Sequence, residues 1–290
     1  MIGEAGMEFG EDQARVQRLT GQLAAVKRLG VAYSGGVDSA TLLALAVRAL
    51  GADRVLGIIG VSPSLADDER AAAHATARAI GVAVVEVATR EGERAAYQKN
   101  GPDRCYHCKD ELFTRIADEV RTVHGLDAIA YGENADDMLR PDRPGARAAV
   151  EHGVLRPLAD AGLDKAAVRR VARVLNLSCA DKPAAPCLAS RIPHHQPVTP
   201  EKLAQIEDAE RALRVLGFRD CRVRHHGDVA RVELLSDDLP RAVAEPLRGQ
   251  VQQAVTAAGF RFVALDLAGI QSGAFTLPLV TLPLVAVTGG

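Results

Sequence analysis

The chain has 290 residues, of which 48% are apolar and 25% charged, with a net charge of −2. The length suggests about two domains, and the apolar share supports a sizeable core. Near-neutral charge gives no overall pull toward nucleic acid or an anionic membrane, and 3% aromatic residues with no tryptophan leave few rings for base stacking. In chain order, residues 11–29 read as an amphipathic helix leading into a first strand that includes Val31. Residues 39–50 follow as a helix. Apolar runs at Val55–Val61 and 83–87 read as strands, with a helix over Asp67–Ile80 between them. A further helix is expected over 109–124 and a strand at Ala128–Tyr131. This alternation predicts a doubly wound α/β fold with a parallel sheet. Residues 177–199 break the pattern with Pro183, Pro186, Pro193 and Pro197, which discourage long regular elements. Beyond them come a helix over 200–216, a hairpin of 220–226 and 229–235 around Gly227-Asp228, a helix near 239–258 and a strand at 261–267. The reading gives a domain over 1–194, a smaller α+β domain over 195–275 for substrate or self-association, and a tail over 276–290. The apolar stretch 274–287 contains Pro278 and Pro283 and is too short to span a bilayer. Nothing marks a secretion signal, and five cysteines in this length do not make a disulfide scaffold, so a reducing cytoplasm is expected.

The segment Val31-Ala-Tyr-Ser34-Gly35-Gly36-Val37-Asp38-Ser39 carries the most information. An apolar run enters a Ser-Gly-Gly turn and a helix follows at once. Adjacent glycines let the backbone approach an anion, and a helix start adds N–H groups and a positive dipole end. Ser34 and Ser39 can donate to phosphate oxygens, and Asp38 can hold Mg²⁺. The stretch resembles the pyrophosphate-gripping loop of the PP-loop ATP pyrophosphatases. That likeness implies an adenine nucleotide alpha hydrolase-like sheet and a reaction that splits ATP at its α-phosphorus. Gly132-Glu133-Asn134-Ala135-Asp136-Asp137 follows the strand at Ala128–Tyr131 and therefore lies at the same end of the sheet. Its acids can hold Mg²⁺ or order the loop. Lys109 can reach a phosphate or stand solvated.

Cys105 and Cys108 form a C-x-x-C, which is compatible with zinc, a redox dithiol or a cluster. Cys187 lies in the proline-rich loop with Lys182 and Arg191 nearby in sequence, and such cations favour a thiolate. Cys179 and Cys221 read as structural. On the 220–226 strand Arg222, Arg224 and His226 share a face, joined by Arg231 and Glu233 of the next strand. An arginine face suits a phosphate, and a solvated sheet edge is the alternative. His194 and His195 read as exposed loop residues.

Together, Ser34–Ser39, the segment around Cys105 and Cys108, the 132–137 loop with Arg143-Pro-Gly145, the segment from Lys182 through Cys187 to Arg191, and the strand at Arg231 and Glu233 resemble the ATP-dependent sacrificial sulfur transferases (LarE type). The likeness runs from about Val31 to Gly273. It implies ATP, Mg²⁺ and AMP formation, with Ser34, Gly35, Gly36, Asp38, Ser39, Gly132, Asn134 and Asp136 beside the nucleotide. It also implies a mononucleotide substrate, pyridinium-3,5-biscarboxylic acid mononucleotide, in the making of a nickel-pincer cofactor. Ser190, Arg191, Glu210, Arg222, Arg224 and Glu233 fall on the substrate side. Cys187 matches the sulfur donor of the family. With Cys105 and Cys108 it also matches the branch whose [4Fe–4S] cluster carries a transferable sulfide, and this branch is the one expected. A zinc site completed by His107 is a competitor. A homo-oligomer, without nucleic-acid or membrane partners, follows from the same likeness. The Ile192-Pro-His194-His195 stretch departs from the family pattern. A tRNA thiolase and a non-catalytic ATP-binding regulatory protein are the other functional readings.

Overall fold

The computed structural model describes residues 8–139 and 144–271; Arg143 and the apolar tail lie outside them. Two compact units divide the chain. Among the described residues, one comprises 8–97 together with 103–185; the other comprises Gln98–Pro102 and 186–271. Val198 N–H donates to the Gln98 carbonyl at 2.9 Å, and the Asn100 side chain bonds three carbonyls of residues 192–196.

The first unit opens with helix α1 (Gln13–Leu23), which ends earlier than the sequence pattern suggests. Strand β1 (Leu29–Ala32), helix α2 (Val37–Leu50), strand β2 (Val55–Val61), helix α3 (Asp67–Ile80) and strand β3 (Ala83–Ala88) follow. Helix α4 (Arg104–Arg115) starts before Lys109, with Asp103 at its N-cap, and it continues as a π-helical turn, Ile116–Arg121. Strand β4 (Ala128–Tyr131) completes an all-parallel sheet in the order β3-β2-β1-β4. Side chains alternate along it: Leu29 and Val31 enter one core with α1, α2 and a later helix, while Ala32, Ile58 and Tyr131 enter the opposite core with Phe113 and Ile116. Helices thus cover both faces, as the α/β pattern requires. The order reverses between β1 and β4, so the loops after Ala32 and after Tyr131 lie side by side at the switch point.

Between Tyr131 and Leu177 the sequence reading names no element, yet the chain is largely helical there. Helical turns Ala135–Met138 and Pro157–Asp160 accompany helices α5 (Pro144–Glu151) and α6 (Lys165–Val174). Asp164 starts α6 by accepting the Ala167 N–H at 2.7 Å, and Ala167, Val168, Val171 and Ala172 form its buried stripe.

The second unit packs helix α7 (Pro200–Val215) on a three-stranded sheet in the order β5-β6-β7. Strands β5 (Cys221–His226) and β6 (Val229–Leu234) pair antiparallel about Gly227, whose φ of +66° suits a tight hairpin; β7 (Phe262–Leu265) joins parallel to β6. The helix expected over 239–258 is two pieces, Leu239–Val243 and α8 (Leu247–Ala257). Pro246 falls between them and Ala244 is already extended, at φ −86° and ψ 142°. Leu213, Phe218, Val223, Val232 and Phe260 centre the core.

His225 stands edge-on to Phe260 in this unit, almost wholly buried. Its Nδ1 accepts the Gly227 N–H at 3.3 Å, so Nε2 carries the proton donated to Gln205 Oε1 at 3.1 Å. Burial, then nearby Lys202, pushes its pKa below the ordinary 6.5. The unfolded imidazole therefore takes a proton that the folded one refuses, and the stability His225 confers is present above 6.5 and is lost as pH falls below it. Urea titrations should show the stability gap between wild type and His225→Gln narrowing from about pH 7.5 to about pH 5.5.

Candidate functional site

The first unit's site begins where β1 ends. Tyr33 N–H still pairs with the Ile58 carbonyl at 2.8 Å, and its buried phenol donates to the Ala73 carbonyl at 3.0 Å. Burial pushes that phenol up to about 12, which keeps it a neutral donor. Ser34 is exposed directly beyond it. Gly35 turns the chain at φ +76°, and a Cβ there would lie 2.7 Å from Ala73 Cβ, so only glycine fits against α3. Ser39 Oγ donates to the Gly36 carbonyl at 3.1 Å, accepts the Ser34 N–H at 3.2 Å and lies 3.2 Å from Ser34 Oγ. The loop is thereby closed by hydroxyls. No side chain caps the start of α2, which leaves its first N–H groups facing the loop as anion donors.

Asp38 projects from this first turn, and two groups from later segments meet it. Lys165 Nζ lies 2.6 Å from Asp38 Oδ2, and Asn134 Nδ2 lies 3.4 Å from Oδ1. Asn134 itself starts a helical turn as a capping box, accepting from Asp137 N–H at 3.2 Å while Asp137 Oδ2 accepts the Asn134 N–H at 3.4 Å. Asp136 Oδ2 accepts the backbone N–H of Lys165 at 3.0 Å. The two acids thus order the loop. Buried Glu133 lies 3.8 Å from Arg156. Gly132 completes the junction: a Cβ there would meet Ser39 N at 2.6 Å and Ser39 Cα at 2.8 Å, both rigid backbone. The Asp38 carboxylate, steadied by Lys165 and Asn134, suits Mg²⁺ that arrives with a nucleotide's phosphates, since Mg²⁺ usually takes one or two carboxylates plus phosphate oxygens.

The C-x-x-C lies in the first turns of α4, with Cys105 exposed and Cys108 half-buried at i and i+3. Acids on the same helix hold it in place. Asp110 bonds His152 at 2.8 Å and Arg94 at 2.6 Å, while Glu111 pairs with Arg94 and Arg115. Lys109 Nζ sits 4.2 Å from the Tyr131 ring centroid, a cation–π contact, and Gly145 leaves room for its stem.

In the second unit Cys187 is exposed and starts a short 3-10 turn, Leu188–Arg191. Two buried guanidiniums fix that turn. Arg191 forks onto Glu210 at 2.9 and 3.2 Å, and its Nη1 donates to the Pro186 carbonyl at 2.6 Å, Ser190 Oγ at 3.0 Å and the Cys187 carbonyl at 3.4 Å. Arg224 forks onto Glu233 at 2.9 and 2.8 Å and donates to the Ser190 carbonyl at 3.1 Å and the Gln271 carbonyl at 2.9 Å. Arg222 Nη1 reaches the Gln271 carbonyl at 2.7 Å, and burial together with the charges of Arg191 and Arg224 lowers its pKa.

The family described as NAD synthase matches residues 14–125. An uncharacterized protein of Synechocystis sp. is 39% identical over 90% of this chain and 96% of its own length. The pyridinium-3,5-bisthiocarboxylic acid mononucleotide synthase of Lactiplantibacillus plantarum is 32% identical over 88% of this chain and 91% of its own. The chain belongs to the LarE family. An uncharacterized protein of Methanocaldococcus jannaschii is also similar, 28% identical over 83% of this chain and 90% of its own length.

Within this LarE-family chain the expected loop residues Ser34, Gly35, Gly36, Asp38, Ser39, Gly132, Asn134 and Asp136 meet in one unit. The expected arginine face is no solvated edge: Arg222, Arg224 and Glu233 are buried and Arg231 half-buried, and the Arg224–Glu233 pair, like Arg191–Glu210 beside it, shapes the Cys187 turn. Lys182 pairs with Glu69 at 2.6 Å within the first unit. Cys105 and Cys108 belong to one unit and Cys187 to the other. Among the described residues no group of three or more His, Cys, Asp or Glu side chains is gathered to hold a metal ion. Cys221 is pushed up to about 12 by burial and Cys179 is raised for the same reason, as befits structural thiols. Sequence reading missed Lys165. Its signal was the Asp164 cap followed by an apolar stripe, which makes Lys165 the first residue of a helix.

Two variants test the junction. Gly132→Ala should displace Ser39 and weaken ATP binding about tenfold or more, read by calorimetry, at little change in circular dichroism. Lys165→Ala breaks a part-exposed pair and should shift stability by under about 1 kcal/mol. It should nonetheless slow ATP turnover by about a hundredfold, because a preorganised cation is lost.

Proposed function

We propose that this protein is an ATP-dependent sulfur transferase that adenylates a carboxylate of pyridinium-3,5-biscarboxylic acid mononucleotide and converts it to a thiocarboxylate. The observation that carries this reading is the exposed Cys187 thiol at the head of a turn locked by Arg191 and Arg224, in a chain with an intact pyrophosphate loop. The name of the Lactiplantibacillus plantarum relative supports the substrate.

In the first half-reaction a substrate carboxylate oxygen attacks the α-phosphorus and pyrophosphate leaves. The α2 N–H groups, the Ser34 and Ser39 hydroxyls and Lys165 receive the charge on the departing oxygens. Mg²⁺, held by Asp38 with the phosphates, would supply further charge neutralisation when bound. In the second half, Cys187 Sγ loses its proton and attacks the acyl-adenylate carbon, and AMP leaves with its electron pair. Removal of the Cys187 Cα proton then breaks Cβ–Sγ, leaving dehydroalanine in the chain and a thiocarboxylate on the product. Ser190 and Arg222 are proposed on the substrate side, with Arg191, Glu210, Arg224 and Glu233 shaping that surface. Self-association and a cytoplasmic setting belong to the same proposal.

A sulfide carried on an iron–sulfur cluster of Cys105, Cys108 and Cys187 is the second reading, favoured by the accessible thiols of the C-x-x-C. Anaerobically purified protein given ATP and the mononucleotide decides between them. Sacrifice predicts an iron-free protein, one thiolation per chain and conversion of Cys187 to dehydroalanine by mass spectrometry, with Cys187→Ser stalled at the acyl-adenylate after pyrophosphate release. A brown, iron-containing protein that turns over repeatedly and bleaches in Cys105→Ala would select the cluster. ATP-dependent thiolation of copurified tRNA, with no use of the mononucleotide, would overturn both.

A further inference from the structure

The loop from Pro186 to Val198 faces a shortage of donors. Pro186, Pro193 and Pro197 carry no N–H. Within the loop the backbone makes short-range closures, among them Ser190 to Cys187, Ile192 to Ala189 and Gln196 to Pro193, at 2.9, 3.2 and 3.1 Å. Its remaining carbonyls need partners from elsewhere. Arg191 serves those at the Cys187 end.

Asn100 serves the other end. This residue is fully buried and sits in the left-handed region at φ +54°, a conformation that asparagine tolerates better than most residues. Its Nδ2 lies within hydrogen-bond distance of the carbonyls of Ile192 at 3.2 Å, Pro193 at 2.8 Å and Gln196 at 3.0 Å, its two N–H groups being shared among the three. Its own carbonyl accepts the His195 N–H at 3.0 Å and lies 3.2 Å from His194 Nδ1, which must therefore be the donor. The neighbouring Gln98 carbonyl takes Val198 N–H at 2.9 Å. One side chain in the left-handed conformation thus gathers three carbonyls and one turn of chain.

We propose that Asn100 is a positioning residue for Cys187, fixing the C-terminal half of the loop whose N-terminal half Arg191 holds. The inference rests on Cys187 as the sulfur-bearing residue, but its principal test needs no turnover. His194 and His195, which sequence reading leaves as exposed loop residues, are then the ends of this clasp: both donate to the Asn100 carbonyl.

Asn100→Gly keeps the backbone conformation and removes the amide. Asn100→Asp keeps the shape but turns an oxygen toward three carbonyls. In native protein, alkylation by iodoacetamide is followed at Cys187 and at Cys105 in the same digest. The Cys187 to Cys105 rate ratio should change about tenfold in Asn100→Gly, the size expected from losing a few hydrogen bonds, and at least as much in Asn100→Asp. An unchanged ratio in Asn100→Gly overturns the proposal, and if Asn100→Asp does not fold, Asn100→Gly alone decides. In wild type able to thiolate the mononucleotide, Asn100→Gly should also lower single-turnover sulfur transfer while the KM for ATP holds. Loss of both together would mark a general folding defect and overturn the positioning role. Wild type that never thiolates, with the alkylation ratio still changed, would sink the functional reading and leave the clasp.

Discussion

A carboxylate beside an anion-binding loop is an electrostatic problem, and Lys165 solves it here. Asp38 stands in the first turn of α2, whose uncapped N–H groups and positive dipole end invite phosphate. An unpaired carboxylate at that place would repel the same phosphate by several kcal/mol in a partly desolvated crevice. Lys165 Nζ at 2.6 Å and Asn134 Nδ2 at 3.4 Å hold it instead. The backbone N–H of Lys165 simultaneously binds Asp136. One residue at the start of α6 therefore ties the loop after β1 to the loop after β4, and Gly132 lets the two backbones touch.

The second unit spends its charges differently. Arg191–Glu210 and Arg224–Glu233 are buried pairs, which by themselves give weak net stability because desolvation offsets attraction. Their additional hydrogen bonds are what matter. Both arginines have donors left after the bidentate fork, and these go to the carbonyls of Pro186 and Ser190. A proline-rich segment that cannot form a ladder is thereby held in one conformation from inside, by Arg191 and Arg224 at one end and Asn100 at the other.

How much of this was legible follows from how local each signal is. The strand–turn–helix around Ser34–Ser39 could be read because adjacent glycines and a following apolar stripe determine it within a dozen or so residues. Asp67–Ile80 was equally plain, with three acids in its first turn and Gly81 in the left-handed conformation after it. The role of the arginine face was not. Alternation placed Arg222, Arg224, Arg231 and Glu233 on one face, but burial of that face depends on the distant Gln271 and Ser190 carbonyls. Lys165 was missed for a similar reason: its helix announced itself through Asp164, whereas its partner lies 127 positions earlier in the chain. Asn100 gives no sequence signal at all, since its three acceptors are backbone carbonyls of a loop far along the chain.

The five cysteines separate on the same physical ground. Cys179 and Cys221 are buried, and desolvation holds their thiols protonated. Cys187 is exposed, with φ −57° and ψ 157°, ahead of the 3-10 turn instead of inside a helix or strand. On the proposed chemistry its Cα becomes planar when sulfur leaves. Inside a helix or sheet that change would strain the hydrogen-bonded ladder on both sides. At Cys187 the neighbouring carbonyls are gripped by side chains, which can follow a small change of backbone angle by adjusting their rotamers. A donor that alters its own backbone is best carried by a loop of this kind: fixed enough to aim the thiol, yet outside any ladder that its loss would break.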